Sequence, residues 1–174
     1  MDDQLQTKTK MNMKTELKWA VVYVVMTMVW SLLGKGLGFH DANLAAGVIF
    51  NTLIIIPSVI LYMLSMREKK IRYYGGQITY KQAFMSGLVL TLLVTILGPI
   101  YPLFTNLISP DLFDNSIRFV VATNQMSEAD AVKQFTLSSF IVQGIFGALV
   151  FGLVYAAIIS IFLRSKNPKT LINT

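Results

Sequence analysis

Cysteine is absent from this 174-residue chain and histidine occurs once. Disulfides, thiolate metal sites and cysteine nucleophiles are therefore excluded, and His40 has no second histidine with which to build a ligand set. Charge is also scarce. Asp, Glu, Lys and Arg make up 14% of the chain, where a soluble domain carries about a quarter. With 54% hydrophobic residues and a mean hydropathy of +0.58, the composition is that of a membrane protein. Four long apolar runs contain no Asp, Glu, Lys, Arg or His. That argues against a proton relay, an ion-coupled carrier with carboxylate ligands, or an intramembrane metalloprotease. Filters built from backbone carbonyls need no such residue, so passive conduction stays open.

The last of these runs, Phe135 to Leu163, organises the chain. It places Gly144, Ala148, Gly152, Ala156 and Ser160 at i, i+4 spacing, which on a helix builds one shallow groove that lets another helix backbone approach closely. At 29 residues the run is about 43 Å long if helical, so tilt or protrusion is needed to fit a roughly 30 Å core. The other spans are expected at about 19–38, 45–66 and 80–104, preceded by a polar tail over 1–18 and followed by another over 165–174. The first span reads as retained rather than as a cleaved leader, because the polar stretch before it is long and no small-x-small site follows. Pro57 should kink the second span, its freed carbonyl satisfied by Ser58 or a neighbouring helix. Thr79 and Gln82 have capping-box spacing for the third, whose outer end is disturbed by Gly98-Pro99 and Tyr101-Pro102.

An outer loop over 105–134 carries one or two short helices. Ser109-Pro110-Asp111 reads as an N-cap with proline at the first helical position, opening an amphipathic helix that Thr123-Asn124 breaks. Ser127 and Asp130 then start a polar turn running straight into the fourth span. Twelve of the 15 Lys and Arg fall in the two tails and in the Arg67 to Lys81 loop, so the positive-inside rule puts both termini in the cytoplasm. The expected fold is all-α, an integral membrane four-helix bundle.

With those residues in view, the chain resembles the small four-span bacterial inner-membrane proteins of the domain of unknown function 4199 family. The resemblance rests on the basic loop passing into Gly75-Gly76-Gln77-Ile78-Thr79-Tyr80-Lys81-Gln82-Ala83-Phe84 with Gly87, and on Ser127-Glu128-Ala129-Asp130 ahead of the fourth span. It implies a bacterial cytoplasmic membrane location, multi-pass, and brings no activity, substrate or catalytic residue.

No catalytic constellation emerges from the residues themselves. Ser127, Ser138 and Ser139 have no base partner or nucleophile elbow, Gly75-Gly76 lacks the pattern of a phosphate loop, and His40 beside Asp41 reads as a solvated loop pair. No cofactor and no metal is called for. The basic cluster Arg67, Lys69, Lys70 and Arg72 reads as a topology determinant and a contact for anionic lipid headgroups, not as a nucleic-acid patch. Asn51 and Gln143 read first as interhelical hydrogen-bonding residues, and more sharply as the lining of a polar cavity. Two functions follow. The first is a non-enzymatic membrane interaction or accessory protein whose fourth-span groove takes a helix of its own bundle, a second copy or a partner. The alternative is a small oligomeric permease or pore using Asn51, Gln143 and the kinks at Pro57 and Pro99.

Overall fold

Large apolar side chains on these helices face outward. Val21, Ile49, Ile96, Leu107, Phe146 and Phe162 are all at least half exposed, whereas the buried faces hold many small and hydroxyl-bearing residues, Ala20, Ser31, Ser65, Ser86, Thr91 and Ala156 among them, beside fewer large ones such as Met66, Leu90 and Ile159. A water-soluble chain does the reverse, and this arrangement belongs to helices whose solvent is hydrocarbon and whose contacts need close backbone approach. The computed structural model describes residues 12–166, and among them the secondary structure is helical throughout. In chain order the helices are α1 (Lys14–Gly36), α2 (Leu44–Thr52), α3 (Ile55–Arg72), α4 (Tyr80–Leu97), α5 (Ile100–Ile108), α6 (Leu112–Ala122), α7 (Glu128–Gln134) and α8 (Leu137–Leu163). Four candidate membrane spans result: α1, α2 with α3, α4 with α5, and α8. The expected tail segments 1–11 and 167–174 lie outside the described residues.

The first span begins earlier than expected. Residues 14–18, read from the sequence as tail, are helical, and Glu16 continues the buried stripe of Ala20, Val24, Thr27, Ser31 and Gly34. The reason lies on α3, where Ser58, Tyr62, Ser65 and Lys69 form the matching stripe. Lys69 Nζ meets Glu16 Oε2 at 3.1 Å with both side chains almost wholly buried, and also donates to the Asn12 carbonyl. Ser86 of α4 donates to the other carboxylate oxygen at 2.7 Å. Three helices are thus tied together at the end of the molecule where α1 begins and α3 ends. At the same end Glu68 takes Lys18 and the Trp19 indole N–H, the latter at 2.7 Å, while Lys70 donates to the Leu163 carbonyl at 2.8 Å. Lys70 thereby satisfies one of the last carbonyls of α8.

The Thr79–Gln82 capping box is formed in both directions, Gln82 N–H to Thr79 Oγ1 at 3.2 Å and Thr79 N–H to Gln82 Oε1 at 2.9 Å. Gly75 and Gly76, both at positive φ, turn the chain into it. The most extensive interhelical packing joins α4 to α8. A Cβ built on Gly87 would lie 2.5 Å from the Ala156 Cβ, and one on Gly152 would lie 2.6 Å from Thr91 and 2.7 Å from the Tyr62 hydroxyl.

At the opposite end, three expectations are corrected. Ser109 is not the N-cap of α6, which starts from Asp111 without a side-chain cap; the Ser109 hydroxyl is instead 2.7 Å from His40 Nδ1. His40 is accordingly buried rather than solvated. The polar turn begun by Ser127 does not run on into the fourth span either. Helix α7 ends at Gln134, and Thr136 caps a fresh helix by accepting from Ser139 N–H at 3.2 Å.

Candidate functional site: a neutral cavity beside two interrupted helices

Prolines set the position of the cavity. Pro57 has no N–H to give the Leu53 carbonyl, which accepts instead from Ile56 N–H at 3.1 Å, and the helix breaks between α2 and α3. Ser58 does not take the freed carbonyl as expected from sequence. Its hydroxyl donates to Ile54 O at 2.7 Å. Pro99 and Pro102 act in the same way on the third span: Thr95 O accepts from Gly98 N–H at 3.3 Å and Gly98 O from Tyr101 N–H at 3.1 Å. Both breaks therefore keep their backbone groups satisfied by tighter i to i+3 turns, as hydrocarbon surroundings require. The helix resumes as α5 rather than ending irregularly.

Ile54 and Ile55 at one break, and Gly98, Tyr101 and Pro102 at the other, border a single cavity of about 630 Å³. Tyr23 and Thr27 of α1, Asn51 of α2, and Gln143, Gly144 and Gly147 of α8 complete much of its wall. Tyr23, Tyr62 and Tyr155 form another part of the wall. The Tyr23 hydroxyl is 3.0 Å from Ser58 Oγ, and since the Ser58 hydrogen goes to Ile54 O, Tyr23 is the donor. Tyr62 donates to Thr91 Oγ1 at 3.2 Å, and its ring meets those of Tyr23 and Tyr155 edge-on at 6.2 and 5.4 Å between centroids. Among the described residues, the cavity's lining includes no Asp, Glu, Lys, Arg or His.

A second cavity of about 440 Å³ lies towards the loops and shares Asn51, Tyr101, Pro102 and Phe140 with the first. Helix α6 lines one side of it through Leu112, Phe113, Phe119 and Val120. That helix is tied to the first interhelical connection by His40–Ser109 and by Asn115 Nδ2 donating to His40 O at 3.1 Å; just before it, Lys35 holds the Ile108 carbonyl at the end of α5. Burial lowers the His40 pKa below the usual imidazole value, Asp41 opposing the shift and Lys35 adding to it. The folded chain then resists a proton that the unfolded chain accepts, so the stability supplied here is complete above about pH 6.5 and falls as the pH drops through the lowered value. The thermal midpoint in detergent should fall more steeply on acidification from about pH 7.5 to about 5.5 for the native chain than for His40→Gln. Equal slopes would remove His40 as the cause.

The structure separates the residues that the sequence grouped. On the α8 stripe, Gly152, Ala156 and Ser160 are buried within the chain, Ala148 is partly buried, and Gly144 is open, with nothing within 4 Å of the point where a Cβ would stand. Asn51 and Gln143, 92 positions apart in sequence, line the same cavity, and neither side chain hydrogen-bonds another described residue. Of the basic cluster, Arg67 and Arg72 are exposed, Arg72 pairing with Glu68 at 3.5 Å, whereas Lys69 and Lys70 turn inward to partners within the chain. Glu16 was missed because it sits among tail-like residues. Its position one turn before Ala20 and two before Val24 on a single stripe was the available signal.

Four apolar helices, interiors of small residues and a cavity without ionisable groups define a multi-pass membrane protein with no sign of catalytic chemistry. The family model described as protein of unknown function (DUF4199) matches residues 18–165, and the chain belongs to that family. No curated protein and no solved structure matches it.

Proposed function

We propose that this protein is a non-enzymatic permease, or solute-binding membrane protein, for an uncharged solute held in the cavity between α1, α2, α5 and α8. The observation that carries the reading is that both helix interruptions, before Pro57 and at Pro99, border the cavity that also collects Asn51 and Gln143. Transporters commonly place their solute sites beside interrupted helices; here the backbone at the breaks is already hydrogen-bonded, so the side chains of Asn51 and Gln143 are the groups left to meet a solute. A charged solute would meet no opposite charge there and would bear its desolvation uncompensated. The distribution of Lys and Arg supports an orientation with both termini inside, the family resemblance implies a bacterial cytoplasmic membrane, and exposed Arg67 and Arg72 suit anionic headgroups.

The test is efflux of uncharged solutes, glycerol and erythritol among them, from liposomes containing only this protein. Flux above protein-free liposomes is expected, and Gly144→Leu, whose side chain enters open space in the cavity wall, should return it to background. Flux equal in both, or absent throughout the set, would defeat the permease reading.

The interaction reading retains the Gly144 to Gly147 end of the α8 face, where nothing lies within 4 Å of either glycine's Cβ position. Purification from native membranes in mild detergent, with quantitative mass spectrometry, separates the two. A stoichiometric membrane-protein partner favours the accessory role, and recovery of the chain alone or as a homo-oligomer favours the permease.

A further inference from the structure

The polar lining of the larger cavity divides into groups that are spent and groups that are free. Thr27, Thr52 and Ser58 donate to carbonyls of their own helices at 2.7 to 2.9 Å. Tyr23 and Tyr62 donate to Ser58 and Thr91, and Tyr101 is engaged with Thr105. Three polar side chains of the lining make no hydrogen bond to another described residue: the carboxamides of Asn51 and Gln143 and the hydroxyl of Tyr155. A carboxamide offers a donor and an acceptor side by side in one plane. The same wall carries the rings of Tyr23, Tyr62, Tyr101, Phe140 and Phe151 among aliphatic and glycine residues.

Resting on the reading above, we infer that the ligand class is an uncharged ring compound carrying a hydrogen-bond acceptor and donor on adjacent atoms, as a lactam edge does, with Asn51 and Gln143 as the residues that select it. Four physical arguments converge on that class. The adjacent acceptor and donor match a carboxamide in both senses, so one flat edge pairs with both functions of an amide; Asn51 and Gln143, both exposed within the chain, present theirs to the cavity without an intramolecular partner. The ring face gains offset or edge contacts from the aromatic wall. The absence of ionisable lining groups disfavours an anion or a cation. A cavity of about 630 Å³ lies within the roughly 300 to 1,000 Å³ typical of sites for molecules of two or more rings. Asn51 and Phe140 also line the smaller cavity, so the same residues stand on the route from the loop end.

The experiment uses the full chain in lipid nanodiscs and measures saturable binding of 2-quinolone, a neutral two-ring lactam. Naphthalene serves as the ring without the hydrogen-bonding edge, and quinoline-2-carboxylate as the anionic counterpart. One 2-quinolone per chain is expected, with both controls at least about tenfold weaker. Asn51→Leu and Gln143→Leu should each weaken 2-quinolone about tenfold while leaving naphthalene unchanged. Gly144→Leu, which fills the cavity without a backbone clash, should abolish it. Equal binding of the carboxylate, no saturable 2-quinolone binding, or indifference to both amide substitutions would overturn the ligand class. If Gly144→Leu still abolishes binding or flux in those cases, the cavity remains the solute site and only the class falls. If 2-quinolone binds saturably and none of the three substitutions alters it, the cavity is not the site and both readings fall.

Discussion

Lys69→Met is expected to lower stability by about 3 to 5 kcal/mol, because it leaves the Glu16 carboxylate buried without its counter-ion. Among the described residues, the Ser86 hydroxyl at 2.7 Å is the hydrogen-bond partner that would still serve that carboxylate. Methionine keeps most of the lysine stem's length and apolar contact, so the loss reports charge rather than packing. The double variant Glu16→Leu with Lys69→Met should recover most of the loss, since a buried pair replaced by apolar side chains of similar size is often neutral. Denaturation midpoints of purified protein in detergent, taken for both single variants and the double, close the cycle. Additive losses in the double variant would mean that the two charges do not pair. Lys70→Ala provides a contrast: it removes one half-buried cap on the Leu163 carbonyl and should cost only about 1 kcal/mol.

The second large effect concerns one stripe of one helix. Gly152→Ile should destabilise the protein by about 3 kcal/mol or more, while Gly144→Ile, eight residues earlier on the same stripe, should change stability by less than about 1 kcal/mol. A Cβ at position 152 falls 2.6 Å from Thr91 and 2.7 Å from the Tyr62 hydroxyl, so α8 must move away from α4 and the Tyr62–Thr91 hydrogen bond is lost with it. At position 144 nothing lies within 4 Å. Gly87→Val attacks the same contact from α4, where the Cβ would stand 2.5 Å from that of Ala156. Heat stability in detergent and monomer recovery by size exclusion distinguish the outcomes. Equal tolerance at 144 and 152 would show that α4 and α8 are not packed this closely.

Several features were open to reading from sequence because their causes are local. Thr79 and Gln82 cap the third span because the two groups are three residues apart, and prolines 57, 99 and 102 interrupt helices because each lacks an N–H. The small residues of the fourth span pack closely because spacing alone puts them on one face. Other features depend on partners far away in sequence. Ser109 has the flanking residues of a helix cap, yet its hydroxyl faces His40, 69 positions earlier. Lys69 lies in a run that reads as a surface cluster, and Glu16, 53 positions before it, decides otherwise. Asn51 and Gln143 each have the profile of an interhelical amide, and no local rule indicates that they border the same space.

By itself, the sequence determined a chain of four membrane spans, where those spans are interrupted and which α8 face is narrow enough for close contact. Those properties follow from hydropathy, from missing amide hydrogens and from side-chain size, all of which act over a few residues. The tertiary structure decided how that face is divided. Its Gly152 to Ser160 half is taken up by α4, and its Gly144 end is left on a cavity that the helix breaks widen. The reason is geometric: spacing along a helix says which residues share a face, but only the placement of the other helices says which part of that face is covered.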